Sequence, residues 1–391
     1  MPKKHALLSP SGAKRWLTCT PSAQLESKLP DRATSYADEG TFAHWLSIDV
    51  ILAYRLGRIS EKNYNTEISI AKTRKYYSIS LHEYCKDFAS YVIEQYNRAR
   101  AIDKHTAIFL ETEIDLSMFI PEGFGTADVI IICEGLLILI DLKYGQGVPV
   151  DAEDNDQLKV YGSGALEKFK PLFDVDVLEL HIYQPRIGNI SSWKISANSL
   201  TNWVNEVLIP GAIAAYNGHG DYEPGEHCKF CRARLQCHAL SAWVLSSYEP
   251  GQIPGTISAK KVSEILQKQA VIKSWLSSIT EWALEEALQK GRKWPGFKLV
   301  EGTSRRQIKD ENGALKILQG LKLAKSEYTR TELLPIGQLE DLVGGQKNFN
   351  KLFESVIHKP KGAPTLVPVS DKRTELNSIQ SAFDHLDIET E

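Results

Sequence analysis

The sequence predicts an α/β fold, a mixed sheet with helices packed against it, and three observations predict it. Residues 129–133 and 136–140 are apolar runs rich in β-branched side chains, parted only by Glu134-Gly135, so they read as two buried strands joined by a tight hairpin. Helical periodicity fills 38–103 before that hairpin and 154–168 after it. Strand-like segments return at 177–184 and 192–195, and this alternation of helix and strand is the pattern of helices layered on a sheet.

Taken in order, residues 1–37 form an entry segment that carries Cys19. The helical stretch 38–103 is interleaved with aromatic residues, among them Phe42, Trp45, Tyr91 and Tyr96. Strands dominate 108–143, and a helix near 154–168 opens on Asp154-Asn155-Asp156, a run suited to capping. A helix near 199–217 leads into a cysteine-bearing loop. Gly251 to Gly255, with Pro254 inside, reads as a linker, and 259–290 as one long amphipathic helix. A hairpin or strand pair is expected over 294–308, then small helices, a Gly362-Ala-Pro-Thr-Leu-Val-Pro stretch and an acidic tail. The expected division is a first domain at 1–250, a mainly helical α+β accessory region at 251–370 and a mobile tail at 371–391.

Composition bounds the chemistry. At 391 residues with 42% hydrophobic and 24% charged side chains, the chain has ample core for more than one domain. The apolar run near 129–140 is broken by Glu134 and Gly135 and is too short to span a bilayer, so no membrane role is expected. The net charge of −3 hides an asymmetry: 251–370 holds 19 Lys/Arg against 12 Asp/Glu, whereas 1–250 holds 25 against 31. Met-Pro-Lys-Lys-His at the start lacks an apolar signal segment, which predicts a protein of the reducing cytoplasm without structural disulfides.

The hairpin carries the first chemical signal. Asp128 is expected at the start of its first strand and Asp141 at the end of its second, so antiparallel pairing sets the two carboxylates side by side at a sheet edge. Buried carboxylates repel one another unless a cation lies between them, and hard oxygen ligands favour Mg²⁺ or Mn²⁺. Lys143, two residues beyond Asp141, falls on the same face, where an ammonium can hold a water and offset charge on a phosphate. Gln157 and Tyr161 are four apart on the following helix, which offers an amide and a phenol from one face.

These residues resemble the PD-(D/E)xK nuclease superfamily and, within it, the RecB-like branch. The matches are Gly125-Thr-Ala-Asp128, Ile140-Asp141-Leu-Lys143 and Gln157-x-x-x-Tyr161, with the thirteen-residue interval between the two aspartates. The resemblance implies that His44, in Glu39-Gly-Thr-x-x-His44, is a further metal ligand and that Glu111 is the acidic residue ahead of the first aspartate. Glu113 shares the face of Glu111 by strand periodicity, so both stay open at this point. It also implies hydrolysis of phosphodiester bonds in DNA, most directly by an exonuclease. The whole chain is similar to phage-encoded RecB-like proteins that accompany DNA replication and recombination. No Gly-x-x-x-x-Gly-Lys-Ser/Thr sequence is present, so unwinding is expected from a partner, a separate helicase or a single-strand-binding or annealing protein.

The cysteines carry the second signal. Cys228-Lys-Phe-Cys231 followed by Cys237 places three thiols in one loop, and tetrahedral ligation asks for a fourth. The AddB-like layout of RecB-like nucleases, one cysteine before the core and three after it, implies a [4Fe–4S] cluster held by Cys19, Cys228, Cys231 and Cys237. Zinc on the three clustered cysteines with Cys19 or His238 is the rival. Cys85 and Cys133 read as small core residues. Two functions follow: a Mg²⁺/Mn²⁺-dependent deoxyribonuclease, or a DNA-binding scaffold that keeps the nuclease fold without turnover. Intact Asp128, Asp141 and Lys143 favour the enzyme.

Overall fold

A five-stranded sheet runs β1 (Ala107–Asp115), β2 (Phe124–Cys133), β3 (Gly135–Leu142), β4 (Val175–Gln184), β5 (Asn189–Ser196), in chain order across its width. The computed structural model describes residues 6–29, 35–145, 149–246, 258–302, 307–308, 310–321, 328, 339, 342–343, 346–358, 362–368 and 374–376. Pairing is antiparallel at every step except β3 to β4, which is parallel. That exception has a chain-level cause: α7 (Asp156–Phe169) intervenes between the two strands, and a parallel return needs such a crossover. The mixed sheet therefore follows from where a helix interrupts the strands.

Both faces of the sheet are covered, which explains why the strands are continuous apolar runs. Ile130, Ile132, Leu137 and Leu139 enter one core with Leu8, Trp16, Leu158 and Ala165. Val129, Ile131, Ile138 and Ile140 enter the other with Leu46, Ile51, Phe88 and Val92. The second core is closed by α6 (Ile79–Ile102), started by the Ser78 hydroxyl accepting from the Leu81 amide at 3.1 Å. Leu81, Cys85, Phe88, Val92 and Ala99 form its buried stripe, so Cys85 is core packing, and Cys133 is fully buried as well.

Before that helix come α1 (Ala13–Thr18), α2 (Ser22–Ser27), α3 (Ser35–His44), a π-helical segment Trp45–Leu52, α4 (Ala53–Arg55) and α5 (Glu61–Ala71). After the sheet come α8 (Ala197–Trp203), α9 (Ile209–Asn217), α10 (His238–Leu245) and α11 (Ala259–Lys290). On α7, a Cβ at Gly164 would meet Ile114 Cγ2 at 2.3 Å, so this glycine lets the helix lie close on the sheet. No helix among the described residues is long and apolar enough to cross a membrane.

The chain divides into two compact units, Met1–Ser274 and Trp275–Glu391. In the second unit, β6 (Phe297–Gly302) pairs antiparallel with β9 (Gly362–Pro368), and β7 (Gln307–Ile308) with β8 (Ile357–His358). The hairpin expected over 294–308 is thus not formed: its two strands take separate partners from the C-terminal side. The Gly362 stretch, to which the sequence alone assigns no element, supplies one of them. Local alternation marked the strands, but only distant sequence decided their neighbours. The core of this unit is Leu318, Tyr328, Phe349, Phe353 and Val356, with helices α12 (Glu311–Gly320) and α13 (Gln346–Phe353). The expected linker at 251–255 and most of the acidic tail lie outside the described residues.

Candidate functional site

Strand register builds the first site. β2 begins at Phe124, so Asp128 lies inside the strand and not at its start as the apolar run alone suggested. The pairs Leu110↔Val129 and Thr112↔Ala127 set Glu111 opposite Asp128, while Val129↔Ile140 carries Asp141 to the other side of Asp128. Three acidic residues thereby occupy one row across β1, β2 and β3. Glu111 has a left-handed backbone (φ 41°), a conformation disfavoured for its side chain and concentrated at sites where geometry is over-determined. Glu113, which strand periodicity could not separate from Glu111, is exposed and outside the cluster.

His44 completes the corner from the end of α3, where the backbone widens into the π-helical segment. Its Nδ1 is 3.3 Å from Asp128 Oδ1 and 3.9 Å from Glu111 Oε1. One ligand atom from each of His44, Glu111 and Asp128 lies within 4.8 Å of the other two. Burial, the largest single influence, would push the His44 imidazole down, but Asp128, Asp141 and Glu111 together outweigh it and hold its pKa up at about 9. Burial first, and then the charge of Asp128, lifts Glu111 to about 7. A cation placed among them would take over the role of the imidazolium proton, so binding would release protons.

Beside this triad runs a hydrogen-bonded chain. Gln157 Nε2 donates to Asp141 Oδ1 at 2.7 Å, and Lys143 Nζ donates to Gln157 Oε1 at 2.9 Å. Lys143 Nζ also lies 2.9 Å from Asp141 Oδ2, a charge-assisted contact between ammonium and carboxylate. Burial raises the Asp141 pKa despite the neighbouring ammonium. Asp141 keeps Lys143 protonated against burial. Asp128 Oδ2 accepts from the Leu142 amide at 2.7 Å, which ties β2 to the end of β3.

Gln157 reaches the corner because Asn155 caps α7, accepting from the Leu158 amide at 3.2 Å, so that the first turn faces the strand ends. Tyr161, one turn later, is buried and packs over Gly125: a Cβ there would lie 2.9 Å from Tyr161 Cε1 and 3.0 Å from Pro10 Cγ. The glycine of Gly125-Thr-Ala-Asp128 is therefore a contact requirement of the tyrosine ring. Burial and the nearby Asp141 charge push the Tyr161 phenol up, so it stays a hydrogen-bond donor. All six expected residues of this corner, together with His44, come together.

The second site joins chain ends. Cys19, Cys228, Cys231 and Cys237 line one cavity, and none is in a disulfide. The Gly225 amide donates to Cys228 Sγ and the Leu240 amide to Cys237 Sγ, each at 3.4 Å. Burial raises the pKa of Cys19 and Cys228 and takes Cys231 to about 12, so without a ligand these groups stay as thiols. Among the described residues no three of the four bring their sulfurs within 4.8 Å of one another.

What motif reading missed is the strut beneath this cavity. Glu26, buried, accepts from the Arg232 amide at 2.6 Å and from Arg15 Nε at 2.9 Å. Thr20 donates to the His219 carbonyl and Gln24 to the Tyr216 carbonyl, both across nearly the same span of chain. No local signal announces such partners, because each residue reads as an ordinary polar side chain of a short helix or turn.

Among solved structures, the chain is similar to a "Putative exonuclease" from Eubacterium rectale, at 12% identity and a TM-score of 0.32, covering 65% of this chain and 92% of that one. It is also similar to the protein SSO0001, at 15% identity and a TM-score of 0.23, covering 56% of this chain and 95% of that one. Likenesses this faint fix neither fold nor chemistry. A family profile matches far more of the sequence: over residues 5–374 the chain belongs to the family described as "Protein of unknown function (DUF2800)".

Proposed function

We propose that this chain is a Mg²⁺- or Mn²⁺-dependent deoxyribonuclease of RecB-like type, acting as an exonuclease on DNA ends in phage-type replication or recombination. The single observation that carries the reading is the donor set of His44, Glu111 and Asp128 within 4.8 Å, with Asp141 alongside in register. The donors fit such a cation: oxygens dominate, one imidazole joins them, and the buried Asp141 Oδ2 has spare acceptor capacity. His44, Glu111, Asp128 and Asp141 would hold it. A bound cation would supply Lewis-acid polarisation of a phosphoryl oxygen and a more acidic water.

The chain's own residues account for the remaining work. Asp141 and Gln157 hold the Lys143 ammonium in a fixed place, where positive charge stabilises the negative charge that accumulates on a phosphate under attack. Gln157 keeps its amide directed at Asp141, so the carboxylate cannot rotate freely. Tyr161, buried, packs its ring against Gly125, three residues before Asp128 on the same strand. Cleavage of end-labelled linear DNA that stops when Mg²⁺ is chelated, and spares a covalently closed circle, is the expected result. Failure to cleave any DNA with either metal would remove the reading.

For the cysteine cavity the same proposal assigns a [4Fe–4S] cluster to Cys19, Cys228, Cys231 and Cys237. Four thiols converge there with amides directed at two of them, the usual support for thiolate ligation. Zinc held by Cys228, Cys231 and Cys237 with Cys19 or His238 is the rival, since thiolates and imidazole suit it equally. Anaerobic preparation should yield brown protein with iron and sulfide. Colourless protein with stoichiometric zinc would assign the rival metal.

A further inference from the structure

We infer that the turn at 72–77 leads a single-stranded nucleic acid to the carboxylate corner, an inference that rests on reading that corner as a phosphodiesterase site. The segment Lys72-Thr73-Arg74-Lys75-Tyr76-Tyr77 joins α5 to α6. Lys72, Arg74 and Lys75 are all exposed, and none of them forms an ion pair with a carboxylate among the described residues. Three like charges within four positions repel one another, and a polyanion laid along them relieves that repulsion. In a chain of net charge −3, such a knot of uncompensated cations is a local departure.

Position gives the cluster its meaning. The Arg74 guanidinium lies 6.0 Å from the centre of the Trp45 ring. Trp45 is the residue after His44 and opens the π-helical segment at the corner. The basic turn is therefore tied by a cation–π contact to the neighbour of a candidate metal ligand.

The aromatic residues argue for an unpaired strand. Tyr76 and Tyr77 are half-buried, each with part of its ring held against the core and part open. The Lys75 ammonium sits 5.1 Å from the Tyr76 ring centre, and the Tyr77 hydroxyl is fixed to His82 Nδ1 at 2.9 Å. Cations interleaved with anchored rings are what single strands use, phosphates meeting the charges and bases stacking on the π-faces. A stacked duplex presents its phosphates but not its base faces, so it would use the lysines and not the tyrosine.

The test is binding of labelled oligothymidylate by the full chain in EDTA, where cleavage is not needed, over a salt series. The Lys72→Ala/Arg74→Ala/Lys75→Ala variant should lose about 2 from the magnitude of the log–log salt slope, at roughly 0.7 per phosphate on a single strand. Between about 50 and about 200 mM salt that makes wild type lose roughly 20-fold more affinity than the variant. A charge-matched variant at Lys104, Lys168 and Lys170, also exposed, should keep the wild-type slope. Tyr76→Leu should weaken oligothymidylate about tenfold, spare duplex, and be rescued by Tyr76→Phe. An unchanged slope in the triple variant, equal loss in the matched control, or no binding of single strands by wild type would each overturn the inference. Metal-dependent cleavage with an unchanged slope would sink this inference and leave the nuclease reading standing. The expected slope change in a protein that cleaves nothing would sink the nuclease reading and leave the turn as a single-strand binding surface without a delivery role.

Discussion

The carboxylate corner and the cysteine cavity are assembled by different means. In the corner, Glu111, Asp128 and Asp141 come from three consecutive strands, and pairing alone sets them in one row. In the cavity, Cys19 meets Cys228, Cys231 and Cys237 only because the first short helices and the chain after α9 close on each other around Glu26. A site made by register survives loss of one ligand, since the sheet still forms. A site made by closure is coupled to the fold, because a ligand bridging Cys19 to the later cysteines would add to the Glu26, Thr20 and Gln24 contacts that already join the two segments.

That contrast can be broken most sharply at Asp141. Asp141→Asn should lower cleavage by about a thousandfold or more, some 4 kcal/mol of barrier, with little change in melting temperature. Near-normal cleavage by a folded variant would refute the row as the reacting centre. Cys19→Ser should show the opposite profile: metal and colour are lost, melting falls by about 10 °C, and protein that remains folded still cleaves. If Cys19→Ser keeps its metal and its melting temperature, closure does not depend on that cysteine and the comparison fails.

Smaller effects sharpen the picture. His44→Ala should raise the Mg²⁺ concentration for half-maximal cleavage by roughly tenfold, with the maximal rate less affected, because one donor of the set is gone. A metal titration that overlays on wild type would make His44 a packing residue. Gly125→Ala should cost about 1–3 kcal/mol of stability, since its Cβ would lie 2.9 Å from the Tyr161 ring. Pairing it with Tyr161→Leu should recover part of that loss, and thermal melts of the single and double variants measure the coupling.

A different titration checks the sheet behind the corner. His181 on β4 is buried beside Glu179 and bonded to the Tyr91 hydroxyl at 2.6 Å, and burial takes its pKa down to about 4. Its ordinary value is about 6.5, so the unfolded chain binds the proton first as pH falls. The stability it contributes is complete above about pH 6.5 and is lost toward pH 4, by about 3 kcal/mol at most. Melting temperature against pH should therefore fall more steeply for wild type than for His181→Asn across that window. Parallel curves would show that this histidine is not linked to folding.

Much of this protein was determined by sequence alone. Two apolar runs around Glu134-Gly135 specify a hairpin, and a period of two along strands puts Asp128 and Asp141 beside each other whatever else the chain does. The helical spacing of Gln157 and Tyr161 likewise puts both on one face of α7. Tertiary structure decided what no local period encodes. It chose Glu111 over Glu113 through the register of β1 on β2, which sets Glu111 opposite Asp128 and Glu113 opposite Thr126. It gave the strands after α11 to partners near the C-terminus in place of each other. It also placed Glu26, Thr20 and Gln24 against chain some two hundred residues away, a choice made by burial and hydrogen-bond satisfaction across the fold. Register is a near-neighbour property and can be read along the chain, whereas closure depends on which distant surfaces exclude water together.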